Sequence, residues 1–380
     1  MRITVYCPHY ETLGGASEVA RRLGIGLLAR GHAVGFVVRA PRGTQSRLPV
    51  ADPATGAELR RTRLVQTPYW GAGFGAFRRF ARRFPGDALG LLRTMRGTRP
   101  ELIATHCSKF HAPYVLAMRM AIRCPIVIHL HNAGRTADGP ESIALTRLIL
   151  RCATRVIAVS PEVAEYARTC LPRRAERVVT VPNGTETAEL LAVPPTPRPR
   201  PYVLGVGRLA YQKGFDVLVD AFAEAAVDLD LVFAGDGPER KALVERAAMR
   251  SISGRTHFLG QLDRETVIGL LRGASIVAAP SRFEGHPLVH LEAMAAGAPL
   301  IASAIPGNPA ELRSGQTGVL VPPDDPQALA GALRDLARMP ERARALGEAA
   351  REAARQFLNW SQVTDRVLAV YASAAAATAG

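Results

Sequence analysis

Phe283-Glu284-Gly285-His286-Pro287-Leu288-Val289-His290-Leu291-Glu292-Ala293-Met294-Ala295 is the stretch whose reading carries furthest. Ser275–Ala279 before it is a short apolar run of strand type, and Pro287–Ala296 has a helical pattern. Gly285 and Pro287 forbid a helix through Glu284, while Pro287 suits a first helical position. The stretch therefore reads as strand, loop and helix, with Glu284 on the loop and Glu292 in the helix. The amides of Leu288 and Val289 fall in the first turn, where unpaired N–H groups and the positive helix end favour a phosphate or a sugar hydroxyl beside it. An amphipathic helix with two solvated glutamates would share this spacing.

The same grammar extends in both directions. Upstream, Gly205-Val206-Gly207-Arg208-Leu209-Ala210-Tyr211-Gln212-Lys213-Gly214 follows the β-type run Tyr202–Val206. Arg208 and Lys213 bracket a glycine-containing loop and can clamp a diphosphate, one through planar bidentate donors and the other as a point charge. Gly205-x-Gly207-x-x-Ala210 also fits a dinucleotide fingerprint. That fingerprint wants a helix at the turn, and Tyr211–Gly214 prolongs the loop instead. Leu229–Ala234, His257–Leu259, Leu300–Ala302 and Val319–Val321 are further strand candidates. Phe215–Glu224, Pro238–Ala248 and Pro326–Ala337 are helical in pattern. Strands alternating with helices imply an α/β fold with parallel sheets covered on both faces.

The first half repeats the alternation. Its strand candidates are Arg2–Cys7, Ala33–Val38, Leu102–Thr105, Ile126–Leu130, Arg155–Val159 and Val178–Val181. Leu13-Gly14-Gly15-Ala16 follows the first of these and opens the helical run Ser17–Ala29. Paired glycines let amides approach a phosphate, and they equally suit a plain strand–helix turn. His129-Leu130-His131-Asn132 ends another strand, on the side where open α/β sheets place ligands. His129 and His131 face opposite ways, so they share no metal; a loop-facing His131 could act on a bound sugar, and His129 reads as packing.

Between the halves, Pro194, Pro195, Pro197, Pro199 and Pro201 mark an interdomain linker. The expected division is an N-terminal domain over 1–190, a linker over 191–201, a C-terminal domain over 202–358 and a final helix over 359–380.

Composition narrows the class. No apolar run in the 380 residues approaches a membrane span, and Met1–Cys7 reads as a buried strand rather than a signal peptide. Cys7, Cys107, Cys124, Cys152 and Cys170 show no C-x-x-C pair, which argues against zinc and disulfides and for free thiols in a reducing cytoplasm. Residues 1–185 hold 28 Lys and Arg against 11 Asp and Glu, and residues 186–380 hold 20 against 22. So uneven a distribution points to an anionic partner of the first half. Lys109, Lys213 and Lys241 are the only lysines, which makes each more informative than any single arginine.

In this order and spacing the motifs resemble the retaining glycosyltransferases of family 4. The markers are Gly14-Gly15, His131, Val156-Ile157-Ala158-Val159-Ser160, Val181-Pro182-Asn183-Gly184, Gly207-Arg208 with Lys213-Gly214, Gly235-Asp236-Gly237-Pro238, and Glu284 with Glu292. The resemblance implies the GT-B architecture, two Rossmann-like domains facing each other across a cleft, with the last helix crossing back to the first domain. It implies that Arg208 and Lys213 bind the diphosphate of a UDP- or GDP-sugar, Glu292 the ribose and Glu284 the sugar hydroxyls. His286, Pro287, Leu288 and Val289 would cradle sugar and phosphate, Gly14 and Gly15 would lie against the diphosphate, and His131 would stand beside the reacting sugar. It implies no cofactor and no metal. His286, Pro287 and Asn132-Ala133-Gly134 depart from the commoner pattern and bear on which sugar is taken.

One further segment concerns the acceptor. Phe74, Phe77-Arg78-Arg79-Phe80-Ala81-Arg82-Arg83-Phe84, Leu89, Leu91-Leu92-Arg93 and Met95-Arg96 interleave apolar residues with arginines, as in helices lying on anionic membranes. This suggests a lipid-linked acceptor and a cytoplasmic enzyme peripheral on the inner membrane face. A solvated arginine face with its apolar residues packed inward fits the same pattern. No nucleic-acid motif is present. A nucleotide-sugar epimerase, a phosphorylase lacking an obvious pyridoxal lysine, and a non-catalytic sugar- or membrane-binding protein are the rival classes.

Overall fold

The computed structural model describes residues 1–10, 14–40, 50–52, 55–64, 74–133 and 140–379. Leu13, Gly134 and the side chain of Phe74, named above, lie outside the described part. The chain forms two compact units, one of Met1–Asn183 with Trp360–Gly380 and one of Gly184–Asn359.

In the first unit, β1 (Arg2–Tyr6), β2 (Ala33–Arg39), β3 (Val50–Ala51), β4 (Glu58–Thr62), β5 (Leu102–Thr105), β6 (Ile126–Leu130), β7 (Arg155–Ala158) and β8 (Val178–Thr180) make one sheet. Its order is β3-β4-β2-β1-β5-β6-β7-β8. Every pairing is parallel except β3 with β4. Helices cover both faces, so central strands such as Leu102-Ile103-Ala104 are apolar throughout and fully buried. The edge pair β3 and β4 was not anticipated. Glu58-Leu59-Arg60-Arg61-Thr62 buries only Leu59 and Thr62, and its charged residues hide the strand pattern.

The helix Trp360–Ala379 belongs to this unit. It packs on the helix Gly15–Ala29 so closely that a Cβ on Gly26 would lie 2.2 Å from Thr364 Oγ1. Only glycine permits that approach. Arg30 Nε donates to Asp365 Oδ1 at 2.7 Å beside the contact.

In the second unit, β9 (Tyr202–Val206), β10 (Asp230–Ala234), β11 (Thr256–Phe258), β12 (Ile276–Ala279), β13 (Leu300–Ser303) and β14 (Val319–Val321) form a wholly parallel sheet ordered β11-β10-β9-β12-β13-β14. This is the doubly wound order, which starts at β9, runs outward to β11, then restarts from β12 on the other side of β9. The loops after β9 and β12 therefore leave the carboxyl edge of the sheet side by side at its switch point, where open α/β sheets place ligands.

The proline-rich run lies inside this unit rather than between the two. Thr196 donates its amide to the Gly269 carbonyl at 2.9 Å, and Arg198 sits over the Tyr202 ring at 5.7 Å. The preceding helix, Thr187–Ala192, buries Leu190 in the same core. Extended backbone keeps its C=O groups, and the N–H groups of its non-proline residues such as Thr196, available for such contacts, so composition alone did not distinguish packed from linking. The boundary falls after Asn183, earlier than the expected 190.

Candidate functional site

The two strongest sequence motifs follow β9 and β12, the neighbouring strands at the switch point of the second sheet. After β9 the chain passes Gly207 at φ 138° and makes a short turn, Tyr211–Lys213. Gly214 then takes φ 62°, and a Cβ there would lie 2.1 Å from the Pro280 carbonyl oxygen just beyond β12. Glycine is required on both counts, and its absent side chain lets the two loops touch.

That contact brings Lys213 and Glu284 together. Lys213 Nζ donates to Glu284 Oε1 at 2.6 Å, with the two side chains 20% and 9% exposed. Ser281 Oγ donates to the same oxygen at 3.1 Å. Gln212 Nε2 donates to Glu284 Oε2 at 3.1 Å and to the Phe283 carbonyl at 3.0 Å. Glu284 is thus a well-held carboxylate that accepts from three side chains. Arg208, one residue past Gly207, is exposed, and its guanidinium has no partner among the described residues.

Pro287 caps the next helix rather than entering it: the helix is Leu288–Ala296, and Pro287 has ψ 120°. Leu288 and Val289 fill the first turn, where amides have no intrahelical acceptor. Burial pushes the His286 imidazole down to about 4. His290, fully buried behind it, is driven to about 3 by burial and then by the charges of Lys213 and His286. Both rings are neutral at pH 7, so neither adds charge beside Lys213 and Glu284. Glu292 is half-buried on the same helix and its Oε1 takes Arg264 Nη1 at 2.7 Å; Arg264 Nε also donates to Glu189 at 3.1 Å. The second motif carboxylate therefore belongs to an ion pair apart from the Lys213–Glu284 pair.

In the first unit, Gly14 has extended backbone and Gly15 begins the first helix. A Cβ on either would meet nothing within 4 Å, so the protein's own packing does not demand these glycines. His131 stands just past β6, and burial lowers it to about 4. Its Nε2 lies 3.1 Å from His106 Nδ1, where two neutral rings share a single N–H. His106 stacks on His129 at 4.1 Å between centroids, and His129 Nε2 meets Tyr371 Oη at 2.8 Å. His106 escaped the sequence reading, although it follows β5 as His131 follows β6. Arg282 was also passed over, as one arginine in an arginine-rich chain.

Along most of its length the chain is similar to known glycosyltransferases. The family model described as Glycosyltransferase Family 4 matches residues 13–189, and that described as Glycosyl transferases group 1 matches residues 187–353. Glycogen synthase of Mycobacterium tuberculosis is 29% identical over 399 residues, covering 98% of this chain and 95% of its own length. Phosphatidyl-myo-inositol mannosyltransferase of Mycobacterium leprae is 29% identical over 385 residues, covering 99% and 97%. The crystal structure of Anabaena HepE in complex with UDP-glucose shares the fold, with a TM-score of 0.76 at 19% identity over 98% of this chain and 99% of that one. With both halves matched in order, and with the doubly wound switch point carrying the cationic loop, the chain belongs to the family 4 glycosyltransferases and has the GT-B fold of two Rossmann-like units.

Proposed function

We propose that this chain is a retaining, metal-independent hexosyltransferase that moves a sugar from a UDP- or GDP-sugar to a hydroxyl of a lipid-linked acceptor, in the cytoplasm at the inner membrane face. The observation that carries the reading is the meeting of Lys213 and Glu284 at the carboxyl edge of β9 and β12, next to the open first turn at Leu288 and Val289.

Arg208 and Lys213 neutralise the diphosphate as it departs, supplying charge that a divalent ion supplies in other enzymes. Glu284, held by Lys213, Gln212 and Ser281, accepts from the sugar hydroxyls. His286 and Pro287 shape the sugar pocket, and the Leu288 and Val289 amides meet sugar and phosphate oxygens. Glu292, oriented by Arg264, takes the ribose hydroxyls. In the first unit, Gly14 and Gly15 carry backbone that no packing obstructs and His131 is neutral, the features this unit offers to a substrate. The anomeric C–O bond to phosphate breaks, the acceptor oxygen bonds to the same face, and its proton passes to a departing phosphate oxygen. A carboxylate bound by three donors is a poor nucleophile, which favours this course over a glycosyl-enzyme at Glu284.

The relatives named glycogen synthase and phosphatidyl-myo-inositol mannosyltransferase and the UDP-glucose in the HepE crystal support a nucleotide-sugar donor. Thermal shift against UDP, GDP and their sugars tests it. Saturation at about 100 times Kd adds about 2.7 kcal/mol to folding stability. A rise of several degrees with one nucleotide, followed by acceptor-dependent release of that nucleoside diphosphate, is the expected result. No shift with any of them at millimolar concentration would remove the donor reading.

The membrane reading rests on the helix Phe74–Gly97. Ala88, Leu91 and Met95 are buried, and Phe84 packs on Tyr114 at 5.1 Å, so much of its apolar face turns inward. Phe77 is nonetheless 59% exposed, among exposed Arg78, Arg79, Arg82 and Arg83. No described helix is long and apolar enough to cross a membrane, so contact would be at the surface. The protein is expected to sediment with phosphatidylserine vesicles at low salt. At about 1 kcal/mol for each basic residue, changing the four arginines to glutamine should weaken binding by at least about 100-fold. Absence of sedimentation by the unaltered protein would end this reading.

A further inference from the structure

Arg282 joins four segments through one side chain. Its Nη1 and Nη2 donate to Asp216 Oδ1 and Oδ2 at 2.9 and 2.7 Å, and Asp216 lies in the first turn of the helix Phe215–Ala225. Nη1 also donates to the Tyr211 carbonyl at 2.6 Å, while the guanidinium lies over the Tyr211 ring, 4.0 Å from its centroid. Nε donates to Asp324 Oδ1 at 2.6 Å in the loop after β14, where Asp324 holds φ 57°. The Arg282 amide donates to the Gln212 carbonyl at 2.8 Å. The side chain is only 10% exposed.

These contacts surround the turn Tyr211–Lys213 from both ends, and Arg282 sits two residues before Glu284. The sheet does not depend on them. β9 and β12 already pair through Val203 with Ile276 and Leu204 with Val277, and Gly214 meets Pro280 without Arg282. A planar fork with an aromatic floor and two carboxylate partners fixes an angle as well as a distance, which a lysine there would not do.

We infer that Arg282 is a positioning residue: it holds the Tyr211–Lys213 turn so that Lys213 Nζ is fixed against Glu284 and aimed at the donor diphosphate. This rests on the nucleotide-sugar reading above for the ligand, while the clamp itself stands on the geometry of the loops.

The presence of only three lysines provides a direct test. Lys241 is 90% exposed and serves as an internal standard for amine acylation followed by mass spectrometry. In the unaltered protein Lys213 should label at least about tenfold more slowly than Lys241, since its ammonium is held in a charge-assisted bond. Arg282→Ala should raise Lys213 labelling about tenfold, leave Lys109 and Lys241 unchanged, and raise the UDP or GDP concentration that half-protects Lys213 by about 10- to 100-fold. Asp324→Asn, on an exposed loop, should produce a smaller change in the same direction and covers the case in which Arg282→Ala fails to fold. A uniform increase at all three lysines with a lowered Tm would mean a merely structural role and overturn the inference. Unchanged Lys213 labelling in folded Arg282→Ala, while Glu284→Gln raises it, would overturn it as well. If neither UDP nor GDP protects Lys213 in the unaltered protein, the nucleotide reading fails, whereas the clamp is still judged by the labelling rates.

Discussion

Lys213→Ala is expected to lower turnover by about 100- to 1,000-fold, the usual effect of removing one preorganised group that stabilises charge developing in a transition state. It should also lower stability, because Glu284 is 9% exposed and loses the cation bonded to Oε1 at 2.6 Å. Leaving a partly buried carboxylate without its cation costs on the order of 1–3 kcal/mol, moderated here by Gln212 and Ser281. Arg208→Ala should show a similar fall in turnover with no change in Tm, since its exposed side chain has no partner among the described residues. Steady-state kinetics with thermal melts separates the two variants. A Lys213→Ala enzyme with turnover within about threefold of the parent would contradict the assigned role.

Acid should destabilise the protein far above the pH where carboxylates titrate. Burial is the first cause of depressed values at seven histidines, of which His32 lies near the surface and the other six are deeply buried. His131 and His286 fall to about 4, His111 and His290 to about 3, and His106 and His129 lie well below the ordinary range. In the unfolded chain each titrates near 6.5. Between those values the unfolded state binds more protons than the folded one, so stability rises with pH. Their contribution is complete above about pH 6.5 and is lost as pH falls toward 4, at about 1.4 kcal/mol for each pH unit and each imidazole. Tm should fall by at least about 10 °C between pH 7 and pH 5. The first unit holds His106, His111, His129 and His131, against two in the second, and should melt first in acid. His290→Leu should flatten the slope for the second unit. Melts that superimpose between pH 7 and pH 5 would exclude this account.

Much of the second unit was legible because its central strands, such as β12 and β13, are buried on both faces and read as uninterrupted apolar runs. The glycine and proline positions around Glu284 and Lys213 then fixed which residues lie on loops. What the sequence could not show was lateral. β4 is a charged strand whose place depends on β2, and the proline-rich run looks like a tether until Gly269 supplies an acceptor. Nothing near Glu292 announces Arg264, which arrives from another helix. His106 was within reach, since the strand-end rule that singled out His131 applies to it equally.

The first unit is discontinuous in the chain, and this affects how the protein is made. Residues 360–379 leave the ribosome after the entire second unit, yet they supply Thr364 against Gly26 and the Tyr371 hydroxyl for His129. Until then the nascent first unit has an uncovered helix face and a buried imidazole without its phenol. The first unit is thus completed only after the second has been made, and a chaperone meeting the growing chain would find exposed apolar surface on the earlier of the two.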